Sequence, residues 1–202
     1  ISLLRIITTS APDFQVFYQS AYDVINRINP YEDEKLVTGL GYPVATSLLY
    51  SPLLLLPFTV AQGLFIILSA LSVPAIVVLT IHIIRERFSA LLFLLFTSLA
   101  FLSFPTKFTL GMGQSNLLAL LLLLGAFFLY KKERIITSGI LLGLSIVMKP
   151  LLVFMLLFFL LNKAWKVIGS AVLVGIGFIV PTLLIFGTDI YVYYFTELVP
   201  HL

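Results

Sequence analysis

Three kinds of side chain in this sequence suit chemistry at a boundary between water and lipid. They are a carboxylate, Asp13, two ammonium groups, Lys107 and Lys149, and two amides, Gln114 and Asn116. Asp13 sits in SAPDFQVFY, directly after Pro12 and at the start of a helical pattern. It reads either as the helix N-cap, for which Asp is a favoured residue, or as a general base whose affinity for protons is raised by partial desolvation. Lys149 precedes Pro150. It reads either as an interfacial lysine reaching out to headgroups or as the contact to a lipid-linked phosphate. The turn GMGQSN (111–116) offers glycine for backbone freedom, Ser115 as cap of the next helix, and the amides Gln114 and Asn116 near the same boundary.

Other polar groups read as structural. Asp23 falls on the polar side of the helical pattern that begins at Asp13 and reads as a solvated charge. The run Glu32, Asp33 and Glu34 reads as a solvated turn, and His82 as a packed histidine. There is no cysteine and there are two histidines, so thiolate chemistry and a zinc site are not expected. No cofactor is expected. The sparse carboxylates argue against a dedicated divalent-metal site without deciding whether such an ion takes part.

The elements that must position these groups follow from composition. Of 202 residues, 60% are hydrophobic and 10% charged, and the mean hydropathy is +1.13. Soluble domains carry about 25% charged residues, so a water-soluble globular protein, a disordered chain and a nucleic-acid binder are excluded. The class is an all-α polytopic membrane protein. Apolar runs near 62–84, 89–104, 115–130, 135–148, 150–162 and 166–186 are candidate spans. The basic clusters Arg85/Arg87, Lys131/Lys132/Arg134 and Lys163/Lys166 separate them. If positive clusters lie on the cytoplasmic side, the chain crosses an even number of times between each pair, which gives two hairpins. Their outer turns fall at 105–114 and at Lys149-Pro150. The inner side then holds seven basic and two acidic residues and the outer side five basic and seven acidic.

The domain layout is therefore the end of a truncated first spanning helix at 1–9, a first outer loop at 10–61, transmembrane helices at 62–186 and the start of a second outer loop at 187–202. On this reading the chain is a fragment. Within the first loop, Phe14, Phe17, Tyr18, Ala21, Tyr22, Ile25 and Ile28 form one face of an amphipathic helix on the membrane surface, with Gln15, Gln19, Asp23, Asn26 and Arg27 opposite. The segment 41–58 contains Pro43, Pro52 and Pro57 and reads as broken or re-entrant.

The order of PDFxxFY with NPY, then YSPLLLLPF, then GQSNLLALLLLLGAFFLY, then SGILLGLSIVMKPLLVF resembles the amino-terminal part of glycosyltransferase family 87. These are polyprenol-phosphate-mannose-dependent α-1,2-mannosyltransferase-like membrane enzymes. The resemblance implies a GT-C bundle of about six or seven transmembrane helices in the cell membrane, with the active face extracytoplasmic. It implies a polyprenyl-phosphate donor of mannose or a related sugar, a glycolipid or glycan acceptor, and inversion at the sugar. By position Asp13 matches the family's general base. Lys149 and Lys107 would then meet the donor phosphate, while Gln114 and Asn116 would orient the donor or the loop. A polytopic transporter or lipid flippase is the alternative reading, and ionisable groups gathered at one face rather than at mid-span weigh against it.

Overall fold

Long runs of Leu, Ile, Val and Phe can close their backbone hydrogen bonds locally only as helices, which is what apolar surroundings demand. The computed structural model describes residues 11–31, 40–84 and 88–201, and among these there is helix and no strand. The expected end of a spanning helix at 1–9, the acidic run at 32–34 and the arginines at 85 and 87 lie outside the described residues.

In chain order the helices are α1 (Pro12–Ile25), α2 (Val44–Ser47), which continues as a 3-10 helix over Leu48–Leu55, α3 (Phe58–Ile84), α4 (Ala90–Leu102), α5 (Phe104–Met112) and α6 (Asn116–Lys131). Then come α7 (Ile135–Met148), a 3-10 turn Pro150–Phe154 leading into α8 (Met155–Leu161), α9 (Trp165–Phe186) and α10 (Asp189–Tyr193). Among the described residues α3 and α9, of 27 and 22 residues, are each long and apolar enough to cross a membrane, and α4 with α5, bent by 61° at Ser103, would together make a third. Helices α6 and α7 have 16 and 14 residues, short of the roughly 20 that a hydrocarbon core requires. Large side chains such as Leu91, Leu184 and Phe104 stand more than 70% exposed, so the bundle's outer surface needs lipid.

The chain directions around α6 are fixed by contacts at its two ends. Lys149 reaches Asn116 at the start of α6, while Phe159 packs on Phe127 and Tyr130 near its end, at ring separations of 5.3 and 5.2 Å. Helix α7 therefore runs back along α6, and 150–161 runs forward again, the reversal lying at Lys149-Pro150. Pro150 cannot donate a backbone hydrogen bond, and Lys149 before it is extended (φ −141°, ψ 94°), as residues before proline tend to be. Gly139 and Gly143 let α9 press against α7, since a Cβ at either would strike the Val167 or Ala171 carbonyl. Phe159 and Leu142 fill the centre of this packing.

One end of the bundle is basic. Lys131 donates to the Ile83 carbonyl at the end of α3 (3.2 Å), and His82 packs edge-on to Phe128. The opposite end collects the polar groups of interest.

Three local expectations are revised. The stretch 105–114 is largely helical: Ser103 accepts from Thr106 N–H and starts α5 with Pro105 in its first turn, so the turn itself shrinks to Gly113–Ser115. Helix α1 buries Ser20 and Asp23 and leaves Tyr22, Ile25 and Ile28 half exposed, because the α2 segment and α3 both pack on it. Asp23 is thus buried, with Gln19 donating to it at 2.9 Å, and is no solvated charge. At the far end, Tyr191 and Thr182 share a 2.5 Å hydrogen bond, and Tyr194 stacks on Tyr31, which folds the segment after α9 back onto the α1–α2 connection.

Candidate active site

The polar end is built around a tight turn. Helix α5 closes with Gly113 N–H on the Leu110 carbonyl (3.3 Å) and Gln114 N–H on the Thr109 carbonyl (2.9 Å), a Schellman closure with Gly113 left-handed at φ +68°. Glycine is required there for a second reason. A Cβ on residue 113 would sit 2.7 Å from Phe14 Cβ and 2.8 Å from Ala11 Cβ, so only glycine lets the start of α1 rest on the turn. Ala11 N–H also reaches Gln62 Oε1 of α3, at 3.4 Å. Phe14 and Phe17 then lock α1 in place, Phe14 against Phe65 at 4.9 Å and Phe17 stacked on Tyr50 at 4.6 Å.

That contact sets Asp13 opposite Gln114. Ala11, not Asp13, occupies the N-cap position, and no side chain caps the helix. The Asp13 carboxylate points across the turn and its Oδ2 accepts from Gln114 Nε2 at 2.8 Å. Gln114 Oε1 accepts from Asn116 Nδ2 at 2.7 Å, and Asn116 Oδ1 accepts from Lys149 Nζ. Four side chains from three parts of the chain form one directed series, with a cation donating at one end and a carboxylate accepting at the other. Charge-assisted bonds at both ends make such a series stiffer than isolated amides would be.

The series lines a cavity of about 180 Å³, together with Val16, Phe17, Gly41 and Tyr42. Burial pushes the Lys149 ammonium below the usual lysine range, and the nearby Asp13 carboxylate opposes part of that shift. Burial and the Asp13 charge both push the Tyr42 phenol up, so Tyr42 is a neutral hydroxyl donor at ordinary pH. Ser115 lines the cavity too, but does not cap α6 by its side chain; its hydroxyl is buried against that of Tyr50.

Asp13, Gln114, Asn116 and Lys149 are therefore together. Lys107 is not with them: it stands exposed on α5, outside the cavity. Tyr42 is a residue that spacing did not single out, since a lone tyrosine in GYPVATS reads as part of a broken apolar segment. The Gly41 and Pro43 that flank it were the available signal for a bend that turns its ring inward onto Phe17, 5.1 Å away. Among the described residues no three His, Cys, Asp or Glu side chains gather as a metal site.

A carboxylate and an ammonium that line one small cavity can remove a proton and stabilise a departing anion. Sequence comparison agrees with a group-transfer enzyme. Residues 40–202 match the model of glycosyltransferase family 87, a stretch that carries Tyr42, Gln114, Asn116 and Lys149 and begins after α1. No curated protein and no solved structure matches the chain. With 163 of its 202 residues covered by that match, the chain belongs to glycosyltransferase family 87 and is a glycosyltransferase of the membrane.

Proposed function

We propose that the cavity transfers a sugar, mannose or a related hexose, from a polyprenyl-phosphate carrier to a hydroxyl of a glycolipid or glycan acceptor. The observation that carries this reading is the directed series from Lys149 through Asn116 and Gln114 to Asp13 within one cavity. Asp13 takes the proton of the acceptor hydroxyl through Oδ1, since Oδ2 already accepts from Gln114. The freed oxygen attacks the anomeric carbon from the side opposite the carrier. The bond from that carbon to the phosphate oxygen breaks, its electron pair stays on the phosphate, and the sugar inverts. Lys149 balances the charge that grows on the leaving phosphate. A lipid monophosphate is itself the leaving group, so no nucleotide site is needed. Lys107 stands outside this arrangement.

The same reading orients the molecule. Six or seven crossings in a GT-C bundle, with the basic end cytoplasmic, put the cavity on the extracytoplasmic face of the cell membrane. There the carrier's phosphate lies at headgroup level and its isoprenoid tail remains among lipid chains.

The test is transfer of radiolabel from a polyprenyl-phosphate sugar by the full-length protein in vesicles. Asp13→Asn, expressed at the normal level, should lose about 10³-fold in kcat, within the range removal of a general base produces. Lys149→Met should raise the donor KM. Undiminished transfer by Asp13→Asn would remove the base from the mechanism.

A further inference from the structure

The base and the cation are carried by segments far apart in the chain, and inversion tolerates little error in their separation. In line attack places the acceptor oxygen and the leaving oxygen on opposite sides of one carbon, so a displacement of about 1 Å at either partner can cost about 100-fold in rate. The amide series cannot hold that spacing alone, because Asn116 and Lys149 must be free to meet a donor.

Helix α2 holds it from behind. Thr46 and Ser47 are consecutive, at 1% and 0% exposure. Thr46 Oγ1 donates to the carbonyl of Val147 at 2.8 Å, across 101 residues of chain. That carbonyl sits two residues before Lys149, where Pro150 ends the helix, and in a continuing helix it would have accepted from the N–H of residue 151. Thr46 therefore satisfies a carbonyl orphaned by the break that exposes Lys149. Ser47 Oγ donates in the opposite direction, to Ser20 Oγ at 3.0 Å, and Ser20 Oγ in turn donates to the Phe17 carbonyl of α1 at 3.0 Å. Phe17 lies one turn beyond Asp13.

We infer that Thr46 and Ser47 are a positioning pair that ties the base-bearing helix α1 to the cation-bearing turn at Lys149 and so sets the span between proton acceptor and leaving phosphate. The inference rests on the reading of the cavity given above. Neither hydroxyl touches substrate; Thr46 acts through Lys149 and Ser47 through Asp13. The two ties make separate kinetic predictions. Loosening the Lys149 turn weakens the hold on the donor phosphate, while tilting α1 misaligns the base in a donor complex that still forms.

The experiment uses the full-length protein and a polyprenyl-phosphate sugar, with Asp13→Asn as the reference for the reaction itself. Thr46→Val removes the hydroxyl at constant shape and should raise the donor KM by about tenfold, with Thr46→Ser returning it near the parent value. In a Lys149→Met background the same Thr46→Val change should cost nothing further, because the group it positions is gone. Ser47→Ala should lower kcat by about tenfold, leave the donor KM unchanged and keep its full effect beside Lys149→Met. If Thr46→Val does not fold, Thr46→Ala takes its place in the same comparison with and without Lys149→Met, beside Ser47→Ala. A tenfold penalty from Thr46→Val that persists unchanged in Lys149→Met, or a Ser47→Ala protein with the parent kcat, overturns the pairing. Full activity in Asp13→Asn would instead overturn the reading on which the pairing rests.

Discussion

Turns of the same backbone geometry close helices at both ends of this molecule, yet they are made from different residues. At the cavity end α5 closes on Gly113 at φ +68°; at the basic end α6 closes on Glu133 at φ +60° and α8 on Lys163 at φ +54°. All three use the same pair of backbone bonds, for example Arg134 N–H to the Leu129 carbonyl and Ala164 N–H to the Phe159 carbonyl, both 2.9 Å. A left-handed residue with a side chain costs about 1–2 kcal/mol, and Glu133 and Lys163 bear that cost with their side chains exposed. The α5 turn has no such choice, because α1 rests on it where a Cβ would be, whereas α1 itself closes with the same pair of bonds on a left-handed Arg27 at φ +61°. Backbone conformation alone does not demand glycine in these turns; close approach does, and close approach is what brings Asp13 to Gln114.

The largest effect should come from removing that closeness. Gly113→Ala adds a left-handed alanine and a collision with Ala11 and Phe14, for a stability loss of about 3 kcal/mol read from thermal unfolding in detergent. Transfer should fall with it, since α1 carries Asp13. An alanine protein of parent stability and activity would break the comparison.

A middle-sized effect concerns charge. With its pKa depressed by burial, the Lys149 ammonium loses its proton as pH rises through a value below the ordinary lysine pKa of about 10.4. Donor affinity should therefore be full on the acid side of that value and be lost on the alkaline side. Lys149→Arg stays charged throughout, so whatever its absolute activity, the alkaline loss should vanish from its donor KM profile. Superimposable profiles would mean that Lys149 does not meet the phosphate.

The smallest effect sharpens the contrast from the other end. Glu133→Gly and Lys163→Gly relieve left-handed strain at some cost in chain entropy, which nets to a change of about 0–1 kcal/mol toward stability. Neither should alter transfer. A loss as large as that of Gly113→Ala would show that the basic-end turns are also packed.

The apolar runs and the break at Lys149-Pro150 were legible because length, hydropathy and proline act locally. The turn at 105–114 was misplaced because Ser103 and Pro105 together begin a helix as readily as a loop, and only the 61° bend distinguishes the two. The face of α1 was misjudged for a different reason. Periodicity assumes one partner surface, whereas the α2 segment and α3 bury the helix from two sides, so Asp23 and Ser20 become interior. Asp13, Gln114, Asn116 and Lys149 could be proposed from residue type and nearness to a boundary. Their order in one hydrogen-bonded series could not, since it depends on how α1 and Lys149 meet the Gly113 turn, nor could the exclusion of Lys107, which depends on how α5 continues from the Ser103 bend. Thr46 gave no signal at all, because the carbonyl it satisfies is 101 residues away.

The central claim is that Asp13 serves by taking a proton, and it is tested most directly by an acceptor that carries none. In Asp13→Ala, with the full-length protein and a radiolabelled polyprenyl-phosphate sugar, transfer to a hydroxyl acceptor should be lost, while added azide should accept the sugar with inverted configuration. Parent-level transfer to the hydroxyl acceptor, or a variant equally inert towards azide, would contradict the assignment of Asp13 as the base.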